Sequence, residues 1–109
     1  MEKLYKMVEG YCKRFPQGVE PYQMVTRILE ECGEVAKEVN HFEDSGIKRL
    51  KYGEPNKDKL ANEVRQAVVS LMQIVVYYNI ENEFENSIEE SLHGMRVEKL
   101  IDWVVKDKC

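Results

Sequence analysis

The chain has few residues that break helices. Three prolines and six glycines in 109 positions exclude collagen-like, linker-like and low-complexity organisation. Cysteine is also sparse: Cys12, Cys32 and Cys109 are odd in number, widely spaced and without a CxxC pair. Neither a disulfide framework nor a zinc site is expected, and reduced cytosolic thiols are. Positive charge is not in excess, since 16 basic residues face 20 acidic ones, for a net charge of -4 and a pI near 5.3. A surface for polymeric nucleic acid needs a concentrated basic patch, so that class is set aside. Long apolar runs are missing as well. The stretches around Ala67 to Val69 and Ile74 to Tyr78 fall far short of the roughly 20 residues that span a bilayer. The opening Met1-Glu2-Lys3-Leu4-Tyr5-Lys6 lacks the apolar core of a signal peptide. The expectation is a cytoplasmic protein with no membrane partner.

What is present is globular: 43% hydrophobic and 33% charged residues. That length suits a single helical domain over residues 1–109, because two would each bury too little apolar surface. Leu4, Met7, Val8, Tyr11, Cys12 and Phe15 recur at steps of three and four, predicting a first helix that ends before Pro16. Phe15-Pro16-Gln17-Gly18 reads as a loop. Pro21 suits the first turn of a second helix, with Met24, Val25, Ile28, Leu29, Cys32, Val35, Ala36 and Val39 as its apolar set and its end near Asn40 or His41.

From Phe42 to Asn56 the pattern breaks, and Asp44-Ser45-Gly46 and Tyr52-Gly53-Glu54-Pro55 predict a long loop around Lys48, Arg49 and Lys51. A third helix is expected from Asn56 to Asp58 onward, burying Leu60, Ala61, Val64, Ala67, Val68, Leu71, Met72, Val75 and Tyr78. Asn79 and Asn82 can end it and cap a fourth, in which Phe84, Ile88, Leu92, Met95, Leu100, Ile101 and Val104 are roughly periodic and Gly94 is a point of interruption. The fold class is all-α, a four-helix-type bundle whose sites are built between facing helices.

The chemistry is concentrated in Glu30-Glu31-Cys32-Gly33-Glu34. At about 100° per residue Glu31, Glu34 and Glu38 form a stripe that borders the apolar face of the second helix. On the third helix Glu63 and Gln66 repeat the i, i+3 spacing beside its apolar face. Carboxylates drawn together repel unless a hard cation such as Mg²⁺ or Mn²⁺ lies among them. Acid runs also coat solvated helix faces, because glutamate is a good helix former. Gly33 inside the helix costs about 1 kcal/mol relative to alanine, which suggests close approach of a backbone or ligand.

Glu30-Glu31-x-x-Glu34 followed by Glu63-x-x-Gln66 resembles the EExxE and ExxD motifs of the MazG-like all-α nucleoside triphosphate pyrophosphohydrolases. The resemblance runs over roughly residues 10 to 80 and includes Phe15-Pro16-Gln17-Gly18 before the first motif. It implies a helical bundle assembled as a homodimer or homotetramer. It implies hydrolysis of a nucleoside triphosphate to monophosphate and pyrophosphate with Mg²⁺ (Mn²⁺ as an alternative). It also implies Glu31, Glu34, Glu63 and Gln66 as metal ligands, and Glu30 as a further ligand or the water-orienting base. Gln66 departs from the family's aspartate and removes one negative charge. The family's phosphate-holding residues after the third helix have only Arg96 as a loose counterpart, so Lys48, Arg49 and Lys51 are the other phosphate candidates, alongside a reading as a solvated basic loop.

His41 and His93 read as surface or helix-end histidines. Trp103 and the six tyrosines read as core or interface material, with one available to stack on a base. Two other functions stay open: a homologue that binds nucleotide or metal in a regulatory role without turnover, and a helical interaction module with an acidic soluble face.

Overall fold

A computed structural model describes residues 1–43 and 46–102. Among them every regular element is a helix: α1 (Glu2–Arg14), α2 (Pro21–Glu43), α3 (Ile47–Tyr52), α4 (Lys57–Tyr77) and α5 (Glu81–Val97). Residues 1–78 form one compact unit and α5 belongs to a second. No helix of the described residues is long and apolar enough to cross a membrane. Asp44, Ser45, Trp103, Val104 and Cys109 fall outside the described residues.

Local chemistry sets most helix ends where the sequence places them. α1 stops at Arg14 because Pro16 disfavours helical geometry in Phe15, which adopts φ -127°. α2 starts at Pro21, whose missing N–H would have been unpaired there anyway. The Glu20 N–H just outside is accepted by the Gln23 side chain at 3.3 Å, one half of a capping box. α4 is capped by Asn56, whose Oδ1 accepts from the Asp58 and Lys59 N–H groups at 2.8 and 3.3 Å. It ends at Tyr77 with Tyr78 as its C-cap, and Asn79 follows in the left-handed region at φ +53°, which asparagine tolerates.

Two stretches differ from expectation. The span from Phe42 to Asn56 is not all loop: α2 runs on to Glu43, and α3 carries Lys48, Arg49 and Lys51. Here α3 is held by local bonds rather than burial, because Ile47 and Leu50 are both exposed. Arg49 Nη2 donates to the Phe42 carbonyl at 2.8 Å, satisfying an acceptor near the end of α2, and Gly53 at φ +82° closes α3 through its N–H to the Arg49 carbonyl.

The fourth predicted helix is α5, and Gly94 lies inside it without a break. Leu100 and Ile101 lie beyond its end. Lys99 adopts φ +62°, and the N–H groups of Lys99 and Leu100 bond back to the Arg96 and Met95 carbonyls. That pairing is a Schellman closure, which satisfies the last carbonyls and stops the helix.

In residues 1–78, α2 and α1 each pack on α4. The apolar core is small: Val8 from α1, Met24 from α2, and Ala67, Val69, Met72 and Val75 from α4. Several residues predicted for the buried sides are instead exposed. Val25, Leu29, Cys32, Ala36 and Val39 of α2 are among them, as are Val64, Leu71 and Tyr78 of the α4 set. Beside that core, polar side chains of α2 and α4 also meet, Arg27 with Gln73 and Glu38 with Lys59.

Candidate functional site

The polar seam follows from helix phase. On α2, Arg27, Glu31, Glu34 and Glu38 recur at steps of four, three and four, which at 3.6 residues per turn places them on one side. On α4, Lys59, Glu63, Gln66, Ser70 and Gln73 do the same. Arg27 Nη1 donates to Gln73 Oε1 at 2.7 Å, and Lys59 Nζ pairs with Glu38 Oε1 at 3.3 Å. Positions rising along α2 therefore meet positions falling along α4, so the helices are antiparallel with their polar lines facing each other.

Glu31 occupies the middle of that seam. Its carboxyl is held above the ordinary value near 4.5, first by burial and then by the charges of Glu63, Glu34 and Glu30, with Arg27 pulling the other way. Two neighbouring acids come from its own motif and one from across the seam. Its Oε2 is buried and has no hydrogen-bond partner, an arrangement that costs free energy until a donor or cation reaches it.

Beside Glu31 lies a cavity of about 410 Å³ between α1, α2 and α4. Gln66, Ser70 and Gln73 line it from α4, Arg27 from α2, and Tyr11 and Phe15 from the end of α1. Its size and its mixture of aromatic walls with a few convergent polar groups suit a small molecule. Arg27 is fixed on two sides: besides Gln73, its Nη2 donates to the Gly18 carbonyl at 2.7 Å. Gly18 sits at φ +82°, and a Cβ there would come within 2.9 Å of that same guanidinium nitrogen. A side chain at this position would strain the backbone and crowd the arginine.

The sequence-derived site residues are distributed unevenly. Glu31 and Gln66 share the cavity, Glu63 is half-buried across the seam, and Glu34 is exposed but close enough to act on Glu31. Glu30 is exposed and lines a shallow hollow with Tyr22, Gln23, Thr26 and Arg27. Among the described residues no group of three or more His, Cys, Asp or Glu side chains is placed to hold a metal ion by itself. Among the described residues Glu31 Oε2 has no hydrogen-bond partner and is left as a free acceptor.

Of the basic candidates, Arg49 is engaged by the Phe42 carbonyl and lies 4.0 Å from Glu54, while the Lys51 ammonium sits 5.3 Å from the Tyr52 ring centroid. Lys48 is half-buried and lines a separate cavity. Arg96 is half-buried in α5, the other unit.

Among the described residues nothing approaches Gly33. A Cβ there would touch nothing within 4 Å, so no close approach within this chain requires glycine at that position.

Residues that motif reading did not single out are Arg27, Ser70 and Gln73, together with Tyr11 at the cavity wall, whereas Phe15 and Gln17 of that wall belong to the loop segment of the resemblance. A signal was available for the first three: polar residues continuing the heptad-like register of Glu31 on one helix and Gln66 on the other.

No protein-family model matches the chain, and neither a curated protein nor a solved structure matches it.

Proposed function

We propose that the chain is a divalent-cation-dependent nucleoside triphosphate pyrophosphohydrolase. The observation that carries this reading is Glu31, whose carboxyl feels the charges of Glu63, Glu34 and Glu30 at once while its buried Oε2 lacks a partner beside a cavity of small-molecule size. The MazG-like spacing of Glu30, Glu31, Glu34, Glu63 and Gln66 supports the same assignment.

In this reading Glu31, Glu34 and Glu63, which the described residues do not gather into a ready metal-holding group, would hold Mg²⁺ together with the amide oxygen of Gln66. When bound, the cation would neutralise charge on the phosphate oxygens and make water a better nucleophile at neutral pH. The chain's own residues supply the rest. Tyr11 and Phe15 offer flat surfaces for a base, and Gln17 and Gln73 offer amide edges. Arg27, locked by Gln73 and Gly18, presents positive charge toward the seam. Water attacks the α-phosphorus, the bond from it to the bridging oxygen breaks, and pyrophosphate leaves. Glu30, exposed at the flank and outside the cavity wall, would take the proton from the attacking water or serve as a further ligand, roles it has from the resemblance.

The outer face of α2 supports assembly as a dimer or tetramer. Tyr22, Val25, Leu29, Cys32, Ala36 and Val39 follow alternating steps of three and four, the spacing of a helix–helix seam. Tyr22 is 87%, Val25 50% and Leu29 69% exposed. Apolar stripes of this length are ordinarily covered in solution. A second copy of the chain provides an equivalent stripe.

The reaction is tested by incubating the protein with a panel of nucleoside triphosphates and Mg²⁺ or Mn²⁺ and measuring pyrophosphate. Release that disappears in Glu34→Gln supports the assignment, and silence across the panel defeats it. Gln66 in place of the expected aspartate favours one second reading, a homologue that binds nucleotide and cation without turnover. That protein would release nothing, yet its melting temperature would rise with nucleotide plus Mg²⁺, because ligands held only by the folded state stabilise it.

A further inference from the structure

A second cavity, of about 460 Å³, lies where the end of α2, α3 and the start of α4 meet. It is independent of the acidic motifs. At its wall stands Glu38, only 3% exposed. One of its oxygens is paired with Lys59, and the other, Oε2, is buried with no hydrogen-bond partner. A carboxylate so placed has a charge-assisted acceptor site left over, and leaving it empty is costly.

Around the same cavity stand Lys37, Lys48 and Lys59. Lys59 is committed to Glu38, whereas neither Lys37 nor Lys48 forms an ion pair among the described residues. The remaining acid on the wall, Glu54, is 80% exposed at its side chain and leans toward Arg49. His41 and Tyr52 add an edge-to-face aromatic pair, with ring centroids 6.4 Å apart, and the His41 ring is fixed by the Gly53 carbonyl at 2.8 Å from Nε2.

The cavity therefore offers a buried acceptor, an aromatic wall and two uncommitted cations nearer the solvent, with Lys37 exposed and Lys48 half-buried. We infer that it is a second binding site, for a nucleoside monophosphate whose base carries an exocyclic amino group. The amino group donates to Glu38 Oε2, the ring packs against Tyr52, and the phosphate lies between Lys37 and Lys48. A bare anion would satisfy the lysines and leave Glu38 unpaired. An uncharged base would do the reverse.

The test is calorimetric titration of the whole chain in the presence of a chelator, which silences any cation-dependent binding near Glu31. Adenosine monophosphate is compared with inosine monophosphate, which carries a carbonyl at the amino position, and with adenosine and inorganic phosphate. Adenosine monophosphate should bind, and each of the others should bind on the order of tenfold more weakly, because each loses one charge-assisted contact or the base. Lys48→Ala should weaken adenosine monophosphate by a similar factor, whereas Lys6→Ala, a lysine of α1 paired with Glu2 and absent from the cavity wall, should not. Glu38→Gln disturbs a buried ion pair, so its folding is checked by melting first; a folded variant should lose the preference for the amino base. The inference is overturned if adenosine monophosphate does not bind, if the two monophosphates bind equally, or if Lys48→Ala leaves binding unchanged.

Discussion

The inner and outer sides of α2 invert the usual arrangement of a surface helix. Toward α4 it presents Arg27, Glu31 and Glu38, while Val25, Leu29 and Val39 are exposed to solvent. An ordinary helix pair gains stability by burying its apolar stripe, and buried polar groups oppose that gain unless they are paired. Here a polar line faces a neighbouring helix alongside the buried Met24. Two of its members, Arg27 and Glu38, find partners on α4, and the carboxylate between them is the one held above its ordinary pKa. The inner side thus carries partnered and strained polar groups, and the outer side carries exposed apolar ones.

The sharpest way to break this contrast is on the inner side. Glu63→Gln removes the acid that acts on Glu31 from across the seam. Pyrophosphate release should fall by about 100-fold or more, the scale expected for a charged group that positions a catalytic cation. Folding should be unaffected or improved in the absence of cation, because a repulsion is lost. Rates equal to the parent protein would remove the seam from the chemistry.

On the outer side, Leu29→Lys places a charge in the middle of the apolar stripe. If a second copy covers it, sedimentation or light scattering should show the assembly dissociating, with a cost of about 2–4 kcal/mol for a central contact. An unchanged mass would mean that the stripe is not the interface. Pyrophosphate release measured on the same sample then tells whether the seam works in a single chain.

Gln66→Asp returns a negative charge to a position that shares the cavity wall with Glu31. Mg²⁺ binding should tighten by about 10-fold, and any turnover should rise with it. In the metal-free protein the same change adds repulsion, so its melting temperature should drop while the Mg²⁺-induced rise becomes larger. Weaker or unchanged Mg²⁺ binding would place residue 66 outside the cation's shell.

Much of the fold could be read from the residues because its signals are local. Pro16 and Pro21 bound the first loop, Asn56 supplies a side-chain cap, and the polar set from Glu31 to Glu38 keeps strict helical phase. What could not be read depends on partners distant in sequence. Val25 and Leu29 carry the same pattern whether a core or another chain covers them, so periodicity assigned them to the interior. α3 was hidden because its support is an arginine reaching back to a carbonyl seven residues earlier, and no apolar period marks it. Arg27 gains its meaning from Gln73, 46 positions away, and from a glycine carbonyl. The acidic motif was legible, and the cavity beside it was not.

The smallest effect isolates the electrostatics of the inner side by pH. The Glu31 carboxyl has a folded-state pKa above its ordinary value, so between the two values the folded chain holds a proton that the unfolded chain has released. Stability then falls as pH rises through the folded pKa, and the penalty is fully present above it. The opposite holds for Glu9, whose pKa is lowered chiefly by its hydrogen bond and charge contact with Lys13; its contribution is present above its unfolded value and is lost as pH falls through the folded one. Whole-protein melting curves mix such groups, but Glu31→Gln removes only the first. In metal-free buffer the variant should melt close to the parent at acidic pH and progressively above it toward neutrality. The difference should be modest, because Glu31 is only half-buried and water screens the repulsion. Saturating Mg²⁺ should reverse its sign at neutral pH by stabilising the parent more than the variant. A difference that does not change with pH would mean that repulsion at Glu31 is not what sets the seam apart from the outer face.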